Sequence, residues 1–157
     1  MKNIAYIFLF FSTFLHAHVI EVGTNKPVKS IKKALSLAKD GDTVLVHKGI
    51  YKEGNIIIDK KIVFMGKNFP ILDGQKKYEV LSIKADSVVV QGFKVIRSGY
   101  ASLEDPCAIK VYNKNNVVIQ NNVLDDNFFG IYFKKKKFFL KKKNKIFFFG
   151  KEKQQIG

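Results

Sequence analysis

One line of this chain is written twice. Ser87-Val88-Val89-Val90-Gln91-Gly92-Phe93 returns as Asn116-Val117-Val118-Ile119-Gln120-Asn121-Asn122. Each is a short β-branched run closed by Gln and then by Gly or Asn, the residues that turn a chain. Each also follows another short apolar stretch, Leu81-Ser82-Ile83 in the first copy and Ile109-Lys110-Val111 in the second. A repeat of two short strands and two tight turns makes one coil, and one coil cannot cover its own apolar face. It must stack on neighbours. The expected architecture is therefore all-β, a parallel β-helix.

The stretch before the repeat fits that plan. Thr43-Val44-Leu45-Val46-His47, Gly49-Ile50-Tyr51, Asn55-Ile56-Ile57-Ile58-Asp59, Ile62-Val63-Phe64-Met65-Gly66 and Pro70-Ile71-Leu72-Asp73-Gly74 are short strand-or-turn units divided by Gly, Asp, Lys and Pro. The intervals are too short for helical crossovers and carry no hairpin signal such as Asn-Gly. Ser98 to Pro106 lengthens one turn, so Val88 and Val117 stand 29 residues apart. Asp125-Asp126-Asn127 then turns into a further strand, Phe128-Phe129-Gly130-Ile131-Tyr132-Phe133. Cys107, the single cysteine, opens the apolar stretch Cys107-Ala108-Ile109 and is expected to be buried.

Ahead of the coils lies one strand, Val19-Ile20-Glu21-Val22, and one amphipathic helix at about residues 26–39. Val28, Ile31, Leu35 and Ala38 recur at helical spacing. Thr24 or Asn25 would cap it, Pro27 would sit in its first turn and Gly41 would stop it. Such a helix covers the open end of a β-helix, with Lys29, Lys32, Lys33 and Lys39 on the solvated side.

Met1-Lys2-Asn3 and the apolar run Ile4 to Leu15, ending at His16-Ala17, have the form of a secretory signal peptide over residues 1–17. The run is short for a membrane span. The mature protein is then expected in the periplasm. The formal net charge of +15 is uneven: residues 134–157 hold ten Lys and one Glu, leaving only +6 on residues 1–133. With no recognition helix or RNA-binding motif beside it, this charge is a property of the tail and not a nucleic-acid footprint. Residues 134–157 still follow the coil in outline. Phe138 lies 21 after Val117, Asn144 lies 22 after Asn122, and Ile146 lies 22 after Leu124. They are expected to be a degenerate further coil of a truncated or decayed solenoid.

Residues 28–133 resemble the start of the NosD family. The carrying segments are Ala34-Leu35, Gly41-Asp42-Thr43-Val44, Gly49-Ile50-Tyr51 and Leu72-Asp73-Gly74. Closer are Val90-Gln91-Gly92-Phe93, Arg97-Ser98-Gly99, Gln120-Asn121-Asn122 and Asp126-Asn127-Phe128-Phe129-Gly130-Ile131-Tyr132. The resemblance implies a right-handed, pectin-lyase-like parallel β-helix. It implies a periplasmic accessory protein, not an enzyme, that works with an ABC transporter to assemble the copper-sulfur centre of nitrous oxide reductase. Copper is the one cofactor it suggests.

No residue stands out as catalytic, cofactor-binding or metal-ligating. Copper calls for converging His, Met or Cys, and His18, His47, Met65 and Cys107 fall on different coils. Asn113, Asn115, Asn116, Asn121, Asn122 and Asn144 are expected to bond one another and the turns. A polysaccharide lyase or epimerase would need carboxylates beside a Lys or Arg base. Only Glu104, Asp105, Asp125 and Asp126, with Arg97, approach that, and they lie in turns. A carbohydrate-binding β-helix, a gene remnant without function and a Lys-rich surface adhesin are the other readings.

Overall fold

The repeated line becomes repeated backbone. In the computed structural model, which describes residues 17–100 and 106–134, β8 (Val89–Gln91) lies beside β11 (Val118–Gln120). Val89 is level with Val118, Val90 with Ile119 and Gln91 with Gln120. The left-handed corners that end each run also recur: Ser87 with Asn116, Gly92 with Asn121, and Arg97 with Asp126 all have positive φ. Short β-branched runs thus extend, and the chain bends at the same three places in both coils; four of the six corners are Gly, Asn or Asp, which tolerate the left-handed region, and Ser87 and Arg97 adopt it as well.

All strand pairs are parallel and form three sheets. The first runs β1 (Val19–Val22), β2 (Thr43–Val46), β5 (Val63–Gly66), β8, β11. The second runs β3 (Ile50–Tyr51), β6 (Ile71–Asp73), β9 (Lys94–Ile96), β12 (Val123–Asp125). The third runs β4 (Ile56–Ile58), β7 (Leu81–Ile83), β10 (Cys107–Tyr112), β13 (Phe129–Lys134). Each turn of chain gives one strand to each sheet, so the molecule is a parallel β-helix.

Alternation along each strand sends one set of side chains into the shared interior. Val44, Phe64, Val90 and Ile119 form one inner column, and Tyr51, Leu72 and Val95 a second. Ile58, Ile83 and Val111 form a third. Phe64 and Phe93 stack with ring centroids 4.3 Å apart. Cys107 is buried, as its apolar context requires. Exposure rises at the last described rung: Leu124, Ile131 and Phe133 are only partly covered, whereas the residues level with Leu124 and Ile131 on the rung below are fully buried. Gly66 and Gly92 lie backbone to backbone, and a Cβ on either would strike the other's carbonyl oxygen.

The capping helix is present but shorter than its periodicity suggests. Helix α1 spans Ile31–Leu37, and its N-cap is Ser30, not Thr24 or Asn25. Residues 23–28 instead fold back as a turn: the Gly23 N–H donates to the Val28 carbonyl, and Val28 forms a parallel bridge with Val22. Pro27 belongs to that turn. Ile31, Ala34 and Leu35 face inward, and α1 packs on β1, β2 and β4. Lys29, Lys32, Lys33 and Lys39 are exposed. Ala38, not Gly41, closes the helix.

Both helix ends are held by the next coil. Glu53 accepts hydrogen bonds from Ile31 N at 2.7 Å, Lys32 N at 2.9 Å and the Ser30 hydroxyl at 2.7 Å. Lys60 Nζ donates to the Leu35 carbonyl at 2.7 Å and to that of Ser36 at 3.3 Å. A carboxylate at the positive end and an ammonium at the negative end suit the helix dipole. Among the described residues no helix is long and apolar enough to cross a membrane. The signal peptide expected before Ala17 and the further coil expected after Lys134 lie outside the described residues.

Candidate functional site

The third sheet carries the densest polar cluster. Its outward ladder runs Ile57, Ser82, Lys110, Tyr132 across four strands. Ser82 and Lys110 are nonetheless buried, Lys110 to 7% exposure, because the turn before β7 brings Glu79 over them. The Glu79 carboxylate accepts from the Ser82 hydroxyl, from Lys110 Nζ at 3.2 Å and from the Tyr112 hydroxyl at 3.2 and 3.3 Å. Asn55 closes the far side, donating to the Glu79 carbonyl at 2.8 Å and to Ser82 Oγ at 2.9 Å.

Burial works against the Lys110 ammonium, but the Glu79 carboxylate bonded to it more than reverses this. The result is a pKa above the ordinary lysine value. Burial and then the Glu79 charge push the Tyr112 phenol up as well. A lysine held protonated and a phenol held neutral are poor proton acceptors near neutral pH. The cluster can pin a turn to a sheet and orient an aromatic ring.

A second polar group sits at the corner after β6 and β9. Asp73 is 1% exposed and accepts from Arg97 through both guanidinium positions, with Nε at 3.0 Å, and from Gln75 N at 2.9 Å. The Arg97 hydrogen bond lowers the Asp73 pKa and outweighs the effect of burial. Asp126, one rung on, takes Lys76 at 3.3 Å, and Asp125 takes Lys94 at 3.1 Å. Beside them Tyr100, Phe128 and Phe129 form an exposed edge-to-face group, with Lys76 Nζ 5.8 Å from the Tyr100 centroid.

The described residues weighed for lyase chemistry do meet at this corner on neighbouring rungs, each already paired: Arg97 with Asp73, Asp125 with Lys94 and Asp126 with Lys76; Glu104 and Asp105 lie outside the described residues. The donors weighed for copper do not meet. His47 Nε2 is 3.3 Å from Glu21, and Met65 lies level with Leu45 and Gln91 on the outer side of the first sheet. Cys107 is buried on the third sheet, and the backbone of His18 is bonded to Asp42. No three His, Cys, Asp or Glu residues gather as a metal site among the described residues.

Among the described residues the asparagine side chains serve the turns and the neighbouring backbone, as expected, but do not bond one another. Asn113, Asn116 and Asn121 occupy left-handed corners. Asn122 stitches coil to coil through backbone: it accepts from Phe93 N at 2.9 Å and donates to the Val90 carbonyl at 3.0 Å. Asn127 repeats this with Ser98 N at 3.0 Å and the Val95 carbonyl at 2.9 Å. Asn115 donates its N–H to Asp86. The side-chain ladder belongs to glutamine, Gln120 Nε2 to Gln91 Oε1 at 2.7 Å. Asn144 lies outside the described residues.

Sequence reasoning missed Glu53, Asp73, Glu79, Lys110 and Tyr112. Lys110 between Ile109 and Val111 does announce an outward polar position on a strand. Only the covering turn makes it buried. No family model, curated protein or solved structure matches the chain.

Proposed function

We propose that this chain is a periplasmic, non-enzymatic accessory protein of the NosD type. In this reading it serves with an ABC transporter in assembling the copper-sulfur centre of nitrous oxide reductase. The observation that carries the reading is where the resembling segments fall. Val90-Gln91-Gly92-Phe93, Gln120-Asn121-Asn122 and Asp126-Asn127-Phe128-Phe129-Gly130-Ile131-Tyr132 lie on consecutive rungs, locked by the Gln91–Gln120, Asn122 and Asn127 bonds. In this reading the stacked coils scaffold and dock the partners of the assembly.

A carbohydrate-binding role is the second reading. The exposed Tyr100, Phe128 and Phe129 rings beside Lys76 favour it, because aromatic faces flanked by charged groups suit sugar rings. One experiment separates the two. The chain is expressed in a host lacking its own maturation factor, and reductase activity and the copper-sulfur absorption are recorded. Recovery of both is expected. No recovery, with retardation of the protein in polysaccharide gels, would replace the first reading with the second.

A further inference from the structure

Among the described residues, His18 is the first to be tied into the stack. Its carbonyl accepts from Thr43 N at 2.8 Å, and its N–H donates to Asp42 Oδ1 at 3.0 Å, one residue ahead of β1. Ala17 and His18 are both exposed. The residue that ends the expected signal peptide and the residue that opens the fold are thus adjacent in the chain and lie at the surface.

The group that receives His18 lacks a counter-charge. Asp42 is only 7% exposed, and its second oxygen accepts from Lys39 N at 2.7 Å. Asp73 and Lys110 are the other buried charged side chains among the described residues, and each has a partner of opposite sign, Arg97 and Glu79. Asp42 forms no ion pair among the described residues. A buried charge is costly unless it is paired, and two backbone donors offset only part of that cost. An ammonium in place of the His18 amide would supply the missing charge, because that nitrogen already stands within hydrogen-bond reach of Oδ1.

We propose that the chain is cut between Ala17 and His18 and that the freed His18 ammonium becomes the counter-charge of Asp42. The proposal rests on the export part of the periplasmic reading. Hydrolysis of that peptide bond by a peptidase of the export machinery takes up one water. It leaves a carboxylate on Ala17, which departs with the leader, and an amine on His18, which is largely protonated at neutral pH. Removal of the leader then fastens the start of β1 to the turn between α1 and β2, and the processed chain is the more stable form.

Two measurements test it. The whole chain is exported in a bacterial host and the periplasmic product is weighed by intact mass, with a product beginning at His18 expected. The purified chain beginning at His18 is then compared with the same chain carrying three glycines before His18, which keeps the N–H donor but moves the charge away. The first is expected to melt about 3 °C higher at pH 7. A paired amine has a raised folded pKa, so its contribution is complete below the unfolded value of about 7.7 and is lost as pH rises through the folded value. The gap between the two chains should therefore close in alkali, and Asp42→Asn should abolish it at every pH. The His18 imidazole, Lys39, Asp40 and Lys61 at this end are exposed and common to both chains, and Glu21 is held by Lys26 and His47. Equal melting of the two chains at every pH would overturn the pair and leave the periplasmic reading standing. A periplasmic product with another amino end would overturn the cleavage, and failure of export would overturn the periplasmic reading together with the proposal.

Discussion

At the scale of single residues, the coils are tied by side chains that satisfy the backbone of the rung beneath. Asn122 engages both Phe93 N–H and the Val90 carbonyl, groups that water cannot reach once the coils have stacked. Asn122→Ala removes both bonds and is expected to cost about 2 kcal/mol. The check is a lower urea midpoint with an unchanged slope. The sequence makes Gln91 and Gln120 legible as a pair, because they hold the same place in a line written twice. It does not separate Asn121 from Asn122. One serves by tolerating a left-handed corner and the other by reaching across rungs, and both are asparagines beside a turn.

At the scale of elements, strands were easier to read than the helix. A β-branched run between turn residues forms a strand wherever it is placed, so β2 to β6 match their sequence signals. Helix α1 has a periodicity that extends beyond its true start, and what decides the start is Glu53, 22 residues away from Ile31. Seven residues are too few to hold a helix unaided. Glu53→Ala is therefore expected to destabilise α1 by about 1–2 kcal/mol. Amide exchange is the measurement: protection over Ile31–Leu37 should fall well before that of β5 and β8. Glu53→Gln retains acceptors without the charge and should lose less.

At the scale of the whole molecule, carboxylates hold the coils near the start and in the middle of the described stack. Asp42 accepts from Lys39 N at 2.7 Å and His18 N at 3.0 Å, and these bonds lower its pKa. The Arg97 bond lowers that of Asp73. A carboxyl whose folded pKa is depressed adds stability above its unfolded value, near 3.9, and that stability is lost as pH falls through the folded value. The melting temperature should thus be level through neutral pH and fall below about pH 4. Asp73→Asn should lower it at pH 7 and flatten the acid limb. A melting curve of the variant that tracks the native protein at every pH would remove Asp73 from this account. The fold was legible at this scale because each rung meets only its neighbours. The polar cluster was not, because a turn distant in sequence lays Glu79 over Lys110 and Tyr112.

The bare contact between Gly66 and Gly92 also limits how the chain can change by descent. A carbon added to either position meets oxygen on the other, so neither can vary alone, and a compensating change has nowhere to put its own carbon. The outline of the solenoid is fixed at that spot, and new surface must be acquired elsewhere around the circumference.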